Sequence, residues 1–164
     1  MSEQGQLELL ISLSDQHCRL MSGNGCVFEA DVSTALSGPG ELKDSGCTPR
    51  GRHIIRACIG GNLAKNTVFV GRRPTEESYH AALAEQYPDR DWILTRILWL
   101  SGLEVGRNRL GNVDTMQRYI YIHGCPDDLP MGEPLSHGCV RMRNDDVVTL
   151  FNLVKPGTHV MISE

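Results

Sequence analysis

The sequence predicts a mainly β domain of the α+β class, β-rich with about two short helices. Short runs of Val, Ile, Leu and Phe recur along the chain, bounded by turn formers such as Ser22-Gly23-Asn24-Gly25. Arg118-Tyr119-Ile120-Tyr121-Ile122-His123 sets its isoleucines against tyrosines and histidine, the period of a half-buried strand. Only two stretches carry the caps and punctuation of a helix. Glycine and proline are spread throughout and no repeat occurs, so residues 1–164 read as a single domain, long enough for one core.

Taken in order, residues 7–13, 16–21, 26–33, 53–59 and 67–72 are expected as strands, the first two or three joined as hairpins. Thr75 to Gln86 is expected as a helix, with Ala81, Ala82 and Leu83 in its middle and Glu76-Glu77 in a first turn that suits carboxylates. Periodicity does not assign 92–100, but its β-branched and aromatic content and the nearby Gly102 favour a strand. In 118–123, Ile120 and Ile122 take one face, and Tyr119, Tyr121 and His123 the other. Asn144 is the expected N-cap of a helix with Asp145-Asp146 in its first turn and Val147, Val148, Leu150, Phe151 and Val154 as its apolar residues. Pro156-Gly157 ends it, and 158–162 is the last strand.

The chain carries 16 basic and 20 acidic residues, a net charge of -4, so nothing draws it globally to nucleic acid or an anionic membrane, and neither is expected as a partner. Met1 to Gln6 has neither the basic start nor the apolar run of an export signal, and no stretch of about 18 apolar residues follows. A cytoplasmic protein with six reduced cysteines is therefore expected. Cys18, Cys26, Cys47 and Cys58 read as small apolar side chains. His17, His53, His80 and His159 read as structural or solvated.

Chemistry concentrates in Ser136-His137-Gly138-Cys139-Val140-Arg141-Met142. A thiol becomes a strong nucleophile when a base removes its proton or a cation lowers its pKa, and imidazole does both. Two imidazoles qualify: His137, two residues before Cys139, and His123, which the Pro126–Pro134 loop can return to it. Gly138 permits a tight turn, and the amides of Gly138 and Cys139 could face a developing oxyanion. The residues alone leave the choice of base open. They also leave open a second reading, in which His123, Cys125, His137 and Cys139 close a tetrahedral zinc site in a non-catalytic binding module.

Ile122-His123-Gly124 followed by Ser136-His137-Gly138-Cys139-Val140-Arg141-Met142 resembles the YkuD-type L,D-transpeptidase catalytic domain. Thr48-Pro49-Arg50-Gly51 looks like that family's Thr-Pro-x-Gly turn, and the Val32-Ser33-Thr34 to Gly40 segment agrees as well, so the resemblance spans roughly 7–162. It implies a mixed β-sandwich and a cysteine enzyme, without cofactor or metal, that acts on peptidoglycan stem peptides at the bond after diaminopimelate. By position, it makes Cys139 the acylated nucleophile, His123 the base and the Gly124 carbonyl its orienting group. His137 becomes a loop-shaping, substrate-side residue, with Ser136 and Gly138 beside it; Tyr121, by its parity with His123, either faces substrate or packs on the sheet, and Arg96 is a weaker candidate than Arg141 for a substrate carboxylate. Arg141 suits a terminal carboxylate, its alternative being a salt bridge that holds the Cys139 loop.

Within the family, residues 91–102 and 118–124 resemble the short cytoplasmic L,D-carboxypeptidases, which trim D-alanine from recycled tetrapeptides or muropeptides. That implies hydrolysis of the acyl-enzyme, with L,D-transpeptidation as the alternative. Cys125 departs from the small or hydroxyl residue usual after the His-Gly pair. It is either a bland side chain or a redox partner for Cys139.

Overall fold

The apolar runs pair edge to edge in the computed structural model, which describes residues 6–164. Residues 1–5, most of the stretch read above as lacking an export signal, lie outside the described residues. The strands are β1 (Leu7–Ser12), β2 (His17–Ser22), β3 (Gly25–Ser33), β4 (Gly51–Ile59), β5 (Thr67–Val70), β6 (Arg73–Ser78), β7 (Ile93–Gly102), β8 (Tyr121–Cys125), β9 (Val140–Arg143) and β10 (His159–Ser163). Helix α1 covers Ala81–Gln86 and α2 covers Asn144–Leu153. Among the described residues no helix is long and apolar enough to cross a membrane.

One sheet runs β4-β10-β1-β2-β3-β9-β8-β7-β5-β6, and a further β4–β7 pairing closes it on itself as a barrel-like β-sandwich. The β5–β6 hairpin hangs from β7 outside this ring. β1–β10 and β8–β9 are parallel pairs, and the other pairs are antiparallel. Alternation sends Leu9, Ile11, Leu20, Val32, Leu98, Ile122, Val140 and Met142 into one core, which Val147 and Leu150 of α2 complete. The opposite face of β7 and β8 carries Ile97 and Tyr121, with Phe69, Trp99 and Cys139 beside them. The site lies on this second face.

Three expectations need correction. Residues 75–78 of the helix expected over 75–86 belong to strand β6, because β5 offers an edge to pair with and Thr75 Oγ1 donates to the Val68 carbonyl (2.9 Å). Glu77 serves Arg90 (2.8 Å) instead of a helix dipole, and His80 caps the six-residue remnant by accepting from the Leu83 N–H. Strand β8 starts at Tyr121, not Arg118, since Arg118 is anchored to the Cys47 carbonyl (2.7 Å) and Tyr119 takes a left-handed turn (φ 56°) that leaves it exposed. Asn144 is not an N-cap. It is the first residue of α2, and its side chain turns inward.

Candidate active site

His123 stands on β8, on the face it shares with Tyr121, and is almost wholly buried. Its Nδ1 lies 2.6 Å from the Gly124 carbonyl oxygen. A carbonyl only accepts, so the proton is on Nδ1 and the lone pair on Nε2. The partner of that carbonyl had to be glycine for a separate reason: a β-carbon at 124 would run into Asn144 Oδ1 and the Leu94 carbonyl. Asn144 fills this place because it ties three segments together, donating to the Cys125 carbonyl (2.8 Å) and Asp127 (3.1 Å) and accepting from Thr95 Oγ1 (2.6 Å). The His-Gly pair thus sets the candidate base next to a packing requirement.

The Cys139 loop is pinned from two sides. Thr48 Oγ1 donates to the Gly138 carbonyl (2.8 Å) and accepts from the Ala35 N–H (3.0 Å), which gives the Thr-Pro-Arg-Gly turn a direct role in holding the loop. Ser136 Oγ donates to the Cys139 carbonyl (2.5 Å) and accepts from the Gly138 N–H (3.2 Å). Ser136 is therefore buried scaffolding, not a substrate-side residue. Of the two amides expected to face an oxyanion, that of Gly138 is taken by Ser136, and that of Cys139 has no side-chain partner among the described residues. Gly138 has φ 131°, a region that side chains rarely adopt, and is buried against the Cys47 carbonyl.

The parallel register His123↔Arg141 and Ile122↔Val140 sets Cys139 level with Tyr121, a diagonal step from His123 on the same face. The half-buried thiol accepts from the Tyr121 N–H (3.3 Å) and donates to the Tyr119 carbonyl (3.4 Å). Burial pushes its pKa up to about 12, against the opposing Tyr121 N–H. Burial also holds His123 below the ordinary imidazole value, while the Gly124 carbonyl and Asp91 pull it back up. The resting pair is thus a neutral thiol and a neutral imidazole whose free nitrogen can take a proton.

Asp91 is the charge that the sequence reading overlooked. Its carboxylate meets Arg141 Nη2 (3.2 Å) and His137 Nδ1 (3.5 Å), and it acts through space on both His123 and Cys139. Its side chain is still partly exposed, and although desolvation pushes the other way, His123, Arg141 and His137 hold it below the usual carboxylate range. Nothing in its spacing marks it, since it sits 32 residues before His123 and comes to the site only through the β7–β8 pairing. Of the two readings of Arg141, the structure shows the salt bridge: it is held by Asp91 and the Leu135 carbonyl (3.3 Å) and anchors the loop. The exposed His137 divides two clefts. One, of about 450 Å³, contains Asp89, Asp91, Asp128 and Trp92, and the other, of about 440 Å³, contains Lys43, Arg118 and Tyr119.

Arg96 is not brought to the site. Parity turns it to the opposite face, where it lies over Phe151 of α2 and donates to the Leu63 and Thr95 carbonyls. The four ligands of the zinc reading do not converge: the Cys125 thiol reaches the Met142 carbonyl (3.5 Å), His137 faces Asp91, and His123 and Cys139 are engaged as above. Among the described residues no group of three His, Cys, Asp or Glu is arranged to hold a metal. Cys125 is buried, with a pKa raised to about 11, and all six cysteines are free. Of those read as apolar, Cys18 is in the core, Cys47 and Cys58 are half-buried, and Cys26 is exposed on the β2–β3 hairpin.

With this geometry in hand, comparison with known proteins is specific. The model of the YkuD family, the L,D-transpeptidase catalytic domain, matches residues 7–162. A 41-residue segment is 49% identical to the Escherichia coli K12 protein named "Probable L,D-transpeptidase YcfS", covering 25% of this chain and 13% of that one. Among solved structures, an L,D-transpeptidase from Mycobacterium smegmatis is similar over 97% of this chain and 59% of its own, with a TM-score of 0.56 at 13% identity. L,D-transpeptidase 3 from Mycobacterium tuberculosis, in complex with a faropenem-derived adduct, gives a TM-score of 0.58 at 16% identity over 96% of this chain and 60% of its own. The chain thus spans about three-fifths of these structural neighbours, and at such identities they speak for the fold alone. The match of the family model over almost the whole chain decides the affiliation: this chain belongs to the YkuD family of L,D-transpeptidase catalytic domains.

Proposed function

We propose that the chain is an acyl-transfer enzyme in which Cys139 attacks the diaminopimelate–D-alanine bond of a peptidoglycan tetrapeptide or muropeptide. The observation that carries this reading is that one sheet face holds both a half-buried thiol and an imidazole whose Nδ1 is fixed to the Gly124 carbonyl, which leaves the lone pair on Nε2. The thiol proton passes to His123 Nε2 as sulfur bonds to the carbonyl carbon. The Cys139 N–H faces the oxyanion. His123 then returns the proton to the leaving D-alanine nitrogen, and a thioester remains. No step needs a metal or cofactor.

In our reading, water resolves the thioester. His123 takes a proton from it, the tripeptide leaves, and the thiol is restored, which makes the chain an L,D-carboxypeptidase. This half rests on the resemblance of residues 91–102 and 118–124 to the short carboxypeptidase members. A cytoplasmic place in cell-wall recycling goes with it, and the six free thiols suit a reducing compartment. A specific observation favours the second reading, resolution by an amine. The cleft beside His137 holds Asp89 and Asp128 in addition to the engaged Asp91, and these two carboxylates, set among Arg90 and Arg141, could receive the ammonium group of an acceptor peptide for L,D-transpeptidation.

Incubating wild type and Cys139→Ala with tetrapeptide, with and without an acceptor amine, and following product masses separates these readings. Release of D-alanine without acceptor supports hydrolysis. Products formed only with acceptor support transfer. Undiminished turnover by Cys139→Ala removes the nucleophile and the proposal with it.

A further inference from the structure

A basic and aromatic cluster rims the thiol, and neither reading uses it. Val70 pairs with Arg73 across a two-residue turn in which Gly71 (φ 57°) and Arg72 (φ 64°) are both left-handed, the geometry of a tight type I′ hairpin. The turn holds the Arg72 guanidinium 4.6 Å from the Trp99 ring centre and 4.6 Å from that of Tyr119. Arg72 Nη1 donates to Tyr121 Oη at 2.9 Å. Arg56 of β4 stands 5.3 Å from the Trp99 ring. Arg50, Arg90, Arg107 and Arg141 each pair with a carboxylate, but among the described residues Arg56 and Arg72 do not.

The two tyrosines that carry Arg72 also touch the nucleophile, Tyr121 through its N–H and Tyr119 through its carbonyl. Those contacts are made by the backbone, and the Tyr121 and Trp99 side chains pack in one cluster with Cys139, so the rings that hold the guanidinium border the thiol. A guanidinium resting on ring faces keeps its in-plane N–H edge, the part that binds carboxylates with two parallel hydrogen bonds. The Tyr121 hydroxyl, which accepts from Arg72, still has a proton to donate to the same anion.

We propose that Arg72, with the Tyr121 hydroxyl, forms a carboxylate subsite for the peptide bound at Cys139, the role that Arg141 and Arg96 are not free to fill. This rests on the stem-peptide reading above. Such a peptide offers the terminal D-alanine carboxylate and the diaminopimelate side-chain carboxylate, which share this chemistry.

The test measures tetrapeptide affinity in the full chain carrying Cys139→Ala, with and without Arg72→Gln. Three ligands are compared: the free peptide, the peptide with D-alaninamide, and the peptide with amidated diaminopimelate. Loss of a charge-assisted pair should weaken binding of the free peptide roughly 30-fold in the Arg72→Gln protein. One amide should cost the Arg72 protein the same factor while leaving Arg72→Gln indifferent, and that amide identifies the carboxylate. In chains that retain Cys139, iodoacetamide should alkylate the thiol at the same rate with and without Arg72→Gln. Equal affinity with and without Arg72→Gln, an equal loss on all three ligands, or a changed alkylation rate makes Arg72 a hairpin latch and overturns the inference alone. Failure of the Cys139→Ala protein to bind any of the peptides overturns the substrate reading and this inference together.

Discussion

His53 of β4 and His123 of β8 are both buried imidazoles, and they begin alike, with Nδ1 close to a backbone carbonyl: Gly51 at 3.0 Å and Gly124 at 2.6 Å. They part at the other nitrogen. His53 Nε2 accepts from Thr115 Oγ1 (2.9 Å), whereas His123 Nε2 has no hydrogen-bond partner among the described residues. Both sit below the ordinary imidazole pKa for the same reason, burial, His53 reaching about 4. Desolvation alone therefore does not mark a functional histidine. What sets His123 apart is the unmatched nitrogen on the thiol's face of the sheet.

The largest effect should come from exchanging the two fates. His123→Ala removes the proposed base, so turnover of the tetrapeptide should fall by roughly 10³-fold or more with the fold retained. His53→Ala should leave chemistry nearly intact while costing about 2–4 kcal/mol of stability, from the cavity and the orphaned Thr115 hydroxyl. Denaturant melts and steady-state kinetics on both variants check this. A His53 variant that loses activity at full stability would collapse the distinction.

Next in size is Gly124→Ala, because the β-carbon meets a backbone carbonyl and Asn144, neither of which is the free end of a flexible chain. A loss of about 3 kcal/mol or failure to accumulate is expected. Acid should then act through His53. Its folded pKa is lower than its unfolded one, so the unfolded chain binds the proton more readily and stability falls with pH. The loss begins below the ordinary value of 6.5 and is complete near 4, amounting to roughly 3 kcal/mol. Urea melts across that window should show a shallower slope in His53→Gln.

The same contrast explains what could be read in the residues beforehand. The alternation of Ile122 against Tyr121 and His123 is a backbone property, so strand β8 and the face of His123 were legible, as was the last strand. Other features depended on partners distant in the chain. Thr75 to Ser78 has helical composition, but an open edge on β5 captured it. Asn144 has the composition of a cap, yet Thr95, Cys125 and Asp127 converge on it. Arg141 was correctly singled out as a cation, but its partner Asp91 lies 50 residues away. Pattern locates strands and their faces, whereas the fate of a polar side chain is set by who meets it.

Asp91 offers the smallest and most discriminating effect. It acts on His123 to raise the imidazole pKa and on Cys139 to raise that of the thiol. Asp91→Asn removes both influences. The acid limb of kcat/KM reports protonation of His123, which inactivates the base, so it should move to lower pH in the variant. At a fixed alkaline pH, iodoacetamide should alkylate Cys139 faster, because more of the thiol is ionised. The rate at the optimum should fall by about 10-fold, since an imidazolium formed in the reaction loses a nearby anion. A limb that stays in place while the rate falls would make Asp91 merely the anchor of Arg141, and His123 would then owe its low pKa to burial without that correction.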